Sequence, residues 1–196
     1  MIVYLHGLNG SGRSHKAGVL RRALAPRPVL APDYPAQRPA DAVAFLSDWF
    51  ARLPPLTGDP GLLIVGSSMG GFYGQYLARH LGLPVAHLYL INPALSPWDV
   101  LSSHSGKTLT TAQGDTYEIT AGMIAATRAY GIADPCDGVP TTVFLDAGDT
   151  VIDPADAQCL YRHCGDVRLY PGGDHAFRHL DQAIACIRQA LEPLGE

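Results

Sequence analysis

The chain has 196 residues, 47% hydrophobic and 16% charged, a balance that buries a substantial core and excludes a disordered polymer. Its 14 Lys and Arg against 18 Asp and Glu leave a formal charge of −4, so there is no electrostatic footprint for nucleic acid, and Arg21, Arg22 and Arg27 read as a solvated helix face. Apolar stretches at 62–65 and 84–91 are too short for a membrane span, and Met1 runs directly into strand residues without an export signal, which predicts a cytoplasmic protein.

In chain order, apolar runs rich in β-branched residues predict strands at 2–6, 29–32, 62–66, 86–91, 142–146 and 167–170. Most are apolar throughout, as strands buried on both faces must be. Helical spacing recurs between them, at 14–25, 40–53, 71–81, 154–163 and 176–191. The alternation predicts one α/β domain over residues 1–196, a three-layer sandwich of about six mainly parallel strands with helices on both faces. Ligands are then expected at loops outside the carboxyl ends of the strands. One connection breaks the rhythm. Residues 93–140, polar and with a weak helical piece near 121–130, are expected to form a cap inserted after the fourth strand. Cys136, Cys159, Cys164 and Cys186 contain no C-x-x-C pair; reduced structural thiols are expected, and no metal site.

The most informative stretch is GLLIVGSSMGGFYGQYLARHL. A strand runs straight into a helix through Gly66-Ser67-Ser68-Met69-Gly70, a G-x-S-x-G pattern. Such a turn is sharp enough to strain its central residue and project the side chain. Gly66 and Gly70 flank Ser68 symmetrically, which selects Ser68 over Ser67. The helix start beneath it offers unpaired N–H groups to a developing oxyanion.

A serine hydroxyl needs a histidine to take its proton and an acid to orient that histidine. Downstream, TTVFLDAGDTVIDP ends a strand with Asp146, Asp149 and Asp153. Asp149 lies in the turn beyond the strand and is favoured; Asp146 ends the strand itself, and Asp153 before Pro154 reads as a helix cap. VRLYPGGDHAFRHL supplies His175 on a glycine loop before the last helix, with His179 as rival inside that helix.

The segments YLHGLNGS, SHKA, GSSMGGFYGQYL, INPA, GDTVID and GGDHAF together resemble the YqiA/YcfP-like esterases, a small branch of the α/β-hydrolases, from the first strand to the last helix. The resemblance implies Ser68 as nucleophile, Asp149 as acid, His175 as base, and an esterase acting on acyl esters or thioesters without a metal or organic cofactor. Many relatives carry Leu where Met69 stands. In such a fold the His6-Gly7-Leu8 loop supplies the second oxyanion donor, so the N–H groups of Leu8 and Met69 are expected to hold the oxyanion. Trp98, Met123 and Tyr130 are the candidate lining of the acyl pocket, with ordinary packing of the cap as the favoured account of them.

Two readings from other classes compete. Residues Gly7–Ser14 fall one residue short of the phosphate-cradling G-x-x-x-x-G-K-[ST] pattern, because Arg13 replaces the lysine; a nucleotide hydrolase would need Mg²⁺ there. A non-catalytic binding protein on a hydrolase fold would be expected to have lost part of the Ser-Asp-His set. Nothing in the chemistry of Asn9, His15 or Lys16 assigns them a task.

Overall fold

A computed structural model describes residues 1–54, 61–136 and 138–191. Residues 55–60 and 192–196 of the expected domain and position 137 of the expected cap lie outside the described residues. The elements are β1 (Ile2–Leu5), α1 (His15–Ala23), β2 (Val29–Leu30), α2 (Pro39–Ala51), β3 (Leu62–Ser67), α3 (Met69–His80) and β4 (Val85–Ile91). Then come α4 (Pro97–Ser102), β5 (Thr108–Thr110), β6 (Thr116–Glu118), α5 (Ala121–Thr127) with a 3-10 turn at Arg128–Tyr130, β7 (Thr141–Asp146), α6 (Pro154–Tyr161), β8 (Gly165–Tyr170) and α7 (Leu180–Leu191).

Six strands form one sheet in the order β2-β1-β3-β4-β7-β8, every neighbouring pair parallel. All six strands expected from the sequence are present, within two residues at each end. Alternate residues feed two cores. Val3, Leu5, Ile64, Leu90 and Leu145 face Leu46 of α2 and Phe72, Tyr73 and Leu77 of α3. Tyr4, Leu63, Val65, Ile91 and Phe144 face Leu20 of α1 and Ile184 and Ile187 of α7. Burial on both sides explains why these strands read as continuous apolar runs.

The chain runs outward from β1 to β2 and then returns to the other side of β1 as β3. Strand order therefore reverses between β1 and β3, and a crevice opens at their carboxyl ends. Leu5 pairs with Gly66 in register, so the loop after β1 and the turn after β3 emerge together.

Residues 93–140 hold more order than the sequence suggested: α4, a small antiparallel hairpin of β5 and β6, and α5. The hairpin reaches the loop after β1, where the Tyr117 hydroxyl donates to Asn9 Oδ1 at 2.9 Å. A second departure concerns the cysteines. Cys136 and Cys164 form a disulfide, correcting the expectation of four reduced thiols; Cys159 and Cys186 are free. The bonded pair lies 28 residues apart in sequence, with Cα atoms 5.3 Å apart, a proximity the parallel pairing of β7 with β8 creates and no short motif announces. Among the described residues, no helix is long and apolar enough to cross a membrane.

Candidate active site

Ser68 stands between β3 and α3 with φ 54° and ψ −121°, a backbone conformation that a non-glycine residue adopts only when its surroundings enforce it. Those surroundings are glycines. A Cβ on Gly66 would collide with the Gly70 carbonyl, and a Cβ on Gly70 with the Leu5 carbonyl, so strand and helix meet only because both positions are bare. The turn is pinned by Ser68 N–H donating to Ile91 O at 3.0 Å, while Ser68 O accepts from Gly71 and Ala94 N–H at 2.9 and 3.1 Å.

The side chains of Ser68, His175 and Asp149 form one hydrogen-bonded line. The Ser68 hydroxyl lies 3.0 Å from His175 Nε2, and His175 Nδ1 lies 2.8 Å from Asp149 Oδ2. A carboxylate only accepts, which puts the imidazole proton on Nδ1 and leaves Nε2 free to accept from the serine. Asp149 is held by its other oxygen, Oδ1, which accepts from Val151 and Ile152 N–H at 2.9 and 3.0 Å. Its side chain is 2% exposed, that of His175 28%, so the acid is sealed while the histidine opens to the cavity. Asp153, as its sequence context implied, caps α6 by accepting from Ala155 N–H.

A second acid–histidine pair adjoins the first. Asp146 is wholly buried; its Oδ1 accepts from His179 Nδ1 at 2.6 Å, and its Oδ2 from the N–H groups of Arg178 and Asp174 at 2.7 and 3.1 Å. Asn92 completes the clasp, accepting from Asp146 N–H and donating to Asp174 O. Residues 174–179 are therefore tied down at several points around His175. That loop also delays α7, expected from 176 and starting at Leu180, with Phe177 held at φ 62°. Sequence reading saw Asp146 and His179 only as rivals for the first pair.

The loop after β1 brings Gly7 against Ser68. His6 is built into the scaffold: Nδ1 lies 2.8 Å from Gly7 O, its ring stacks on Tyr34, and the Tyr34 hydroxyl donates to His6 O. Burial pushes the His6 imidazole below its ordinary pKa, so it stays neutral. Leu8 and Met69 both line the cavity beside Ser68. Met69 is the first residue of α3, where backbone donors lack intrahelical partners. The rest of the glycine loop turns inward: Gly10 N–H donates to Gly7 O, Gly12 N–H to Asp33 Oδ1, Arg13 N–H to Ser11 Oγ and Ser14 N–H to Ser11 O. A phosphate cradle needs those donors pointing at a ligand.

The cavity over Ser68 has a volume of about 520 Å³, the size of a small-ligand site. Its apolar wall comes from Pro97, Val100 and Leu101 of α4 and Leu109, Ile119 and Ile152. Trp98, Met123 and Tyr130, the expected pocket residues, do not line it. Trp98 packs under the Arg128 guanidinium and against Gly131, Tyr130 meets Tyr76 edge to face, and Met123 N–H is capped by Thr120. Residues 93–140 border the cavity through α4, Leu109 and Ile119, while Trp98 packs within that segment and Tyr130 against α3. Above the ordinary tyrosine value, at about 12, burial holds Tyr4 on the cavity wall, bonded to Ser14 and Ser67.

The profile of the Uncharacterised protein family (UPF0227) matches residues 1–191. The UPF0227 protein PM0825 of Pasteurella multocida (strain Pm70) is 27% identical over 99 residues, 50% of this chain and 54% of that protein. The chain thus spans about half the length of the curated relative it matches. Among solved structures, Est1E from Butyrivibrio proteoclasticus superposes with a TM-score of 0.72 at 13% identity, covering 97% of this chain and 86% of that one. The mouse alpha/beta hydrolase domain-containing protein 10 gives 0.75 at 13% identity, covering 99% and 90%. A pyrethroid hydrolase from Sphingobium faniae JZ-2 gives 0.61 at 16%, covering 98% and 97%. At these identities the likeness carries the fold: a six-stranded, parallel α/β-hydrolase sheet.

Proposed function

The chain belongs to the UPF0227 family, the YqiA/YcfP-like branch of the α/β-hydrolase fold, and from that premise we propose that it is a serine hydrolase of carboxylic esters or thioesters. The observation that carries this reading is the line from Ser68 Oγ through His175 to Asp149, with separations of 3.0 and 2.8 Å, opening into an apolar cavity. We read residues 1–196 as one domain and 93–140 as its cap.

Ser68 attacks the acyl carbonyl while His175 Nε2 takes its proton. The tetrahedral oxyanion is received by the N–H groups of Leu8 and Met69, each worth about 3 kcal/mol by comparison with other such donors. Collapse expels the alcohol or thiol, which leaves with the proton from His175, and Ser68 retains the acyl group. A water then gives its proton to His175 and attacks the acyl-enzyme; the acid departs and Ser68 recovers its proton. Asp149 holds the histidine tautomer throughout. The inward-turned donors of the glycine loop favour this reading over nucleotide hydrolysis.

The test is hydrolysis of a short-chain p-nitrophenyl ester by the wild type and Ser68→Ala, with fluorophosphonate labelling in parallel. Turnover and labelling are expected, and both are expected to vanish in the variant. A folded wild type that neither turns over nor labels overturns the reading in favour of a non-catalytic binding protein.

A further inference from the structure

Lys16 is the second residue of α1, and its side chain lines the cavity into which Ser68 and His175 open. Among the described residues it is the sole one lining the cavity with a formal charge at neutral pH; the others are apolar, hydroxyl, amide, imidazole or glycine. The acids that act on it through space are Asp174, Asp146 and Asp149, and all three are engaged elsewhere. Asp174 accepts from Arg178 and Ala176 N–H. Asp146 is filled by His179, Arg178 N–H and Asp174 N–H. Asp149 is filled by His175, Val151 N–H and Ile152 N–H. Among the described residues, no carboxylate forms an ion pair with the Lys16 ammonium.

The position also disfavours a merely structural cation. The first turn of α1 carries no acidic side chain, and a helix start favours negative charge over positive. Burial pushes the Lys16 ammonium below the ordinary lysine pKa, the three acids opposing it. A half-buried cation with no direct ion-pair partner, on the wall of an otherwise uncharged cavity, is held at a desolvation penalty that an incoming anion relieves.

We propose that Lys16 is the anion-binding side chain of the substrate site, and that the substrate is an ester or thioester bearing its own carboxylate or phosphate. This rests on the serine hydrolase reading above and narrows it to a substrate class. The anion belongs to the acyl part or to the leaving group, and two substrate pairs separate these. In one, p-nitrophenyl butyrate is compared with p-nitrophenyl hemisuccinate, which charges the acyl side. In the other, phenyl acetate is compared with 4-carboxyphenyl acetate, which charges the leaving group.

The readout is the charged-to-neutral ratio of kcat/KM within each pair, for the wild type and for Lys16→Met, Lys16→Gln and Lys16→Glu. Taking the change in ratio cancels intrinsic reactivity, and using several variants guards against one that folds badly. In one pair the ratio is expected to fall about tenfold to a hundredfold in Lys16→Met and Lys16→Gln, the range of one charge-assisted contact, and further in Lys16→Glu. Ratios unchanged in both pairs, including a parallel fall of charged and neutral substrates, overturn the assignment while leaving the hydrolase reading intact. A folded wild type inert on all four substrates, with Ser68 unlabelled, removes both.

Discussion

Two aspartate–histidine pairs lie side by side at the carboxyl end of β7, joined through the same Nδ1-to-carboxylate contact, at 2.8 Å for His175–Asp149 and 2.6 Å for His179–Asp146. Their surroundings differ. His175 turns Nε2 toward Ser68 in the cavity, whereas the His179 ring stacks on Tyr170. Asp149 carries two backbone bonds from its own turn. Asp146 carries two from the loop that bears His175. In the proposed reaction one pair moves a proton, while the other ties down the loop that carries His175. Identical local chemistry takes different tasks from what stands at its open end.

The sharpest way to break this comparison is Asp149→Asn set against Asp146→Asn. With asparagine at 149 the side chain can donate to His175 Nδ1 and select the wrong tautomer. Turnover of a p-nitrophenyl ester is expected to fall about 10³–10⁴-fold, as where a triad acid is neutralised. Melting should shift little, because one oxygen remains for Val151 and Ile152 N–H. Wild-type turnover in Asp149→Asn would make Asp146–His179 the working pair and reverse the comparison.

Asp146→Asn should act in the opposite sense. It removes a wholly buried charge and turns an amide donor toward groups that are themselves donors. A loss of about 2–4 kcal/mol is expected by calorimetry, with kcat falling about tenfold and KM nearly unchanged, since the cavity wall is untouched. His179→Gln, which keeps a donor near Asp146, should recover most of both quantities relative to Asp146→Asn. An Asp146→Asn protein as stable and as fast as the wild type would deny the second pair its positioning role. Glycine 173 makes the same point from the backbone, since a Cβ there would strike the Asp146 carboxylate.

What the sequence disclosed follows the same division. The strained turn at Ser68 was readable because symmetric glycines mark it, and the position of Asp149 because it lies in the turn beyond the strand end. The six strands of the sheet were readable because double burial makes them apolar throughout. The Asp146–His179 pair was not, because its residues 33 positions apart meet only when β7 and the loop after β8 are in place. The cavity wall was not legible for a related reason. It is built largely from a six-residue helix and strands of three, too short for periodicity to mark, whereas the large aromatics Trp98 and Tyr130 pack away from it.

Histidines without a carboxylate partner extend the comparison and give the smallest effect. His6 bonds the Gly7 carbonyl, and His87 lies 2.9 Å from Thr142 Oγ1 and stacks on Tyr89. Burial lowers the pKa of both, outweighing the distant pull of Asp33 on His6 and of Asp166 on His87. A folded state whose histidines resist protonation binds fewer protons than the unfolded chain once pH drops through the ordinary histidine value of 6.5. Their contribution to stability is therefore complete above that value and is lost as pH falls below it toward the lowered folded-state values. The melting temperature is expected to decline between pH 7 and pH 5, and His87→Gln, which keeps a polar partner for Thr142, should shallow that decline. An identical slope in the variant would assign the whole acid sensitivity to other groups, His6 first among them.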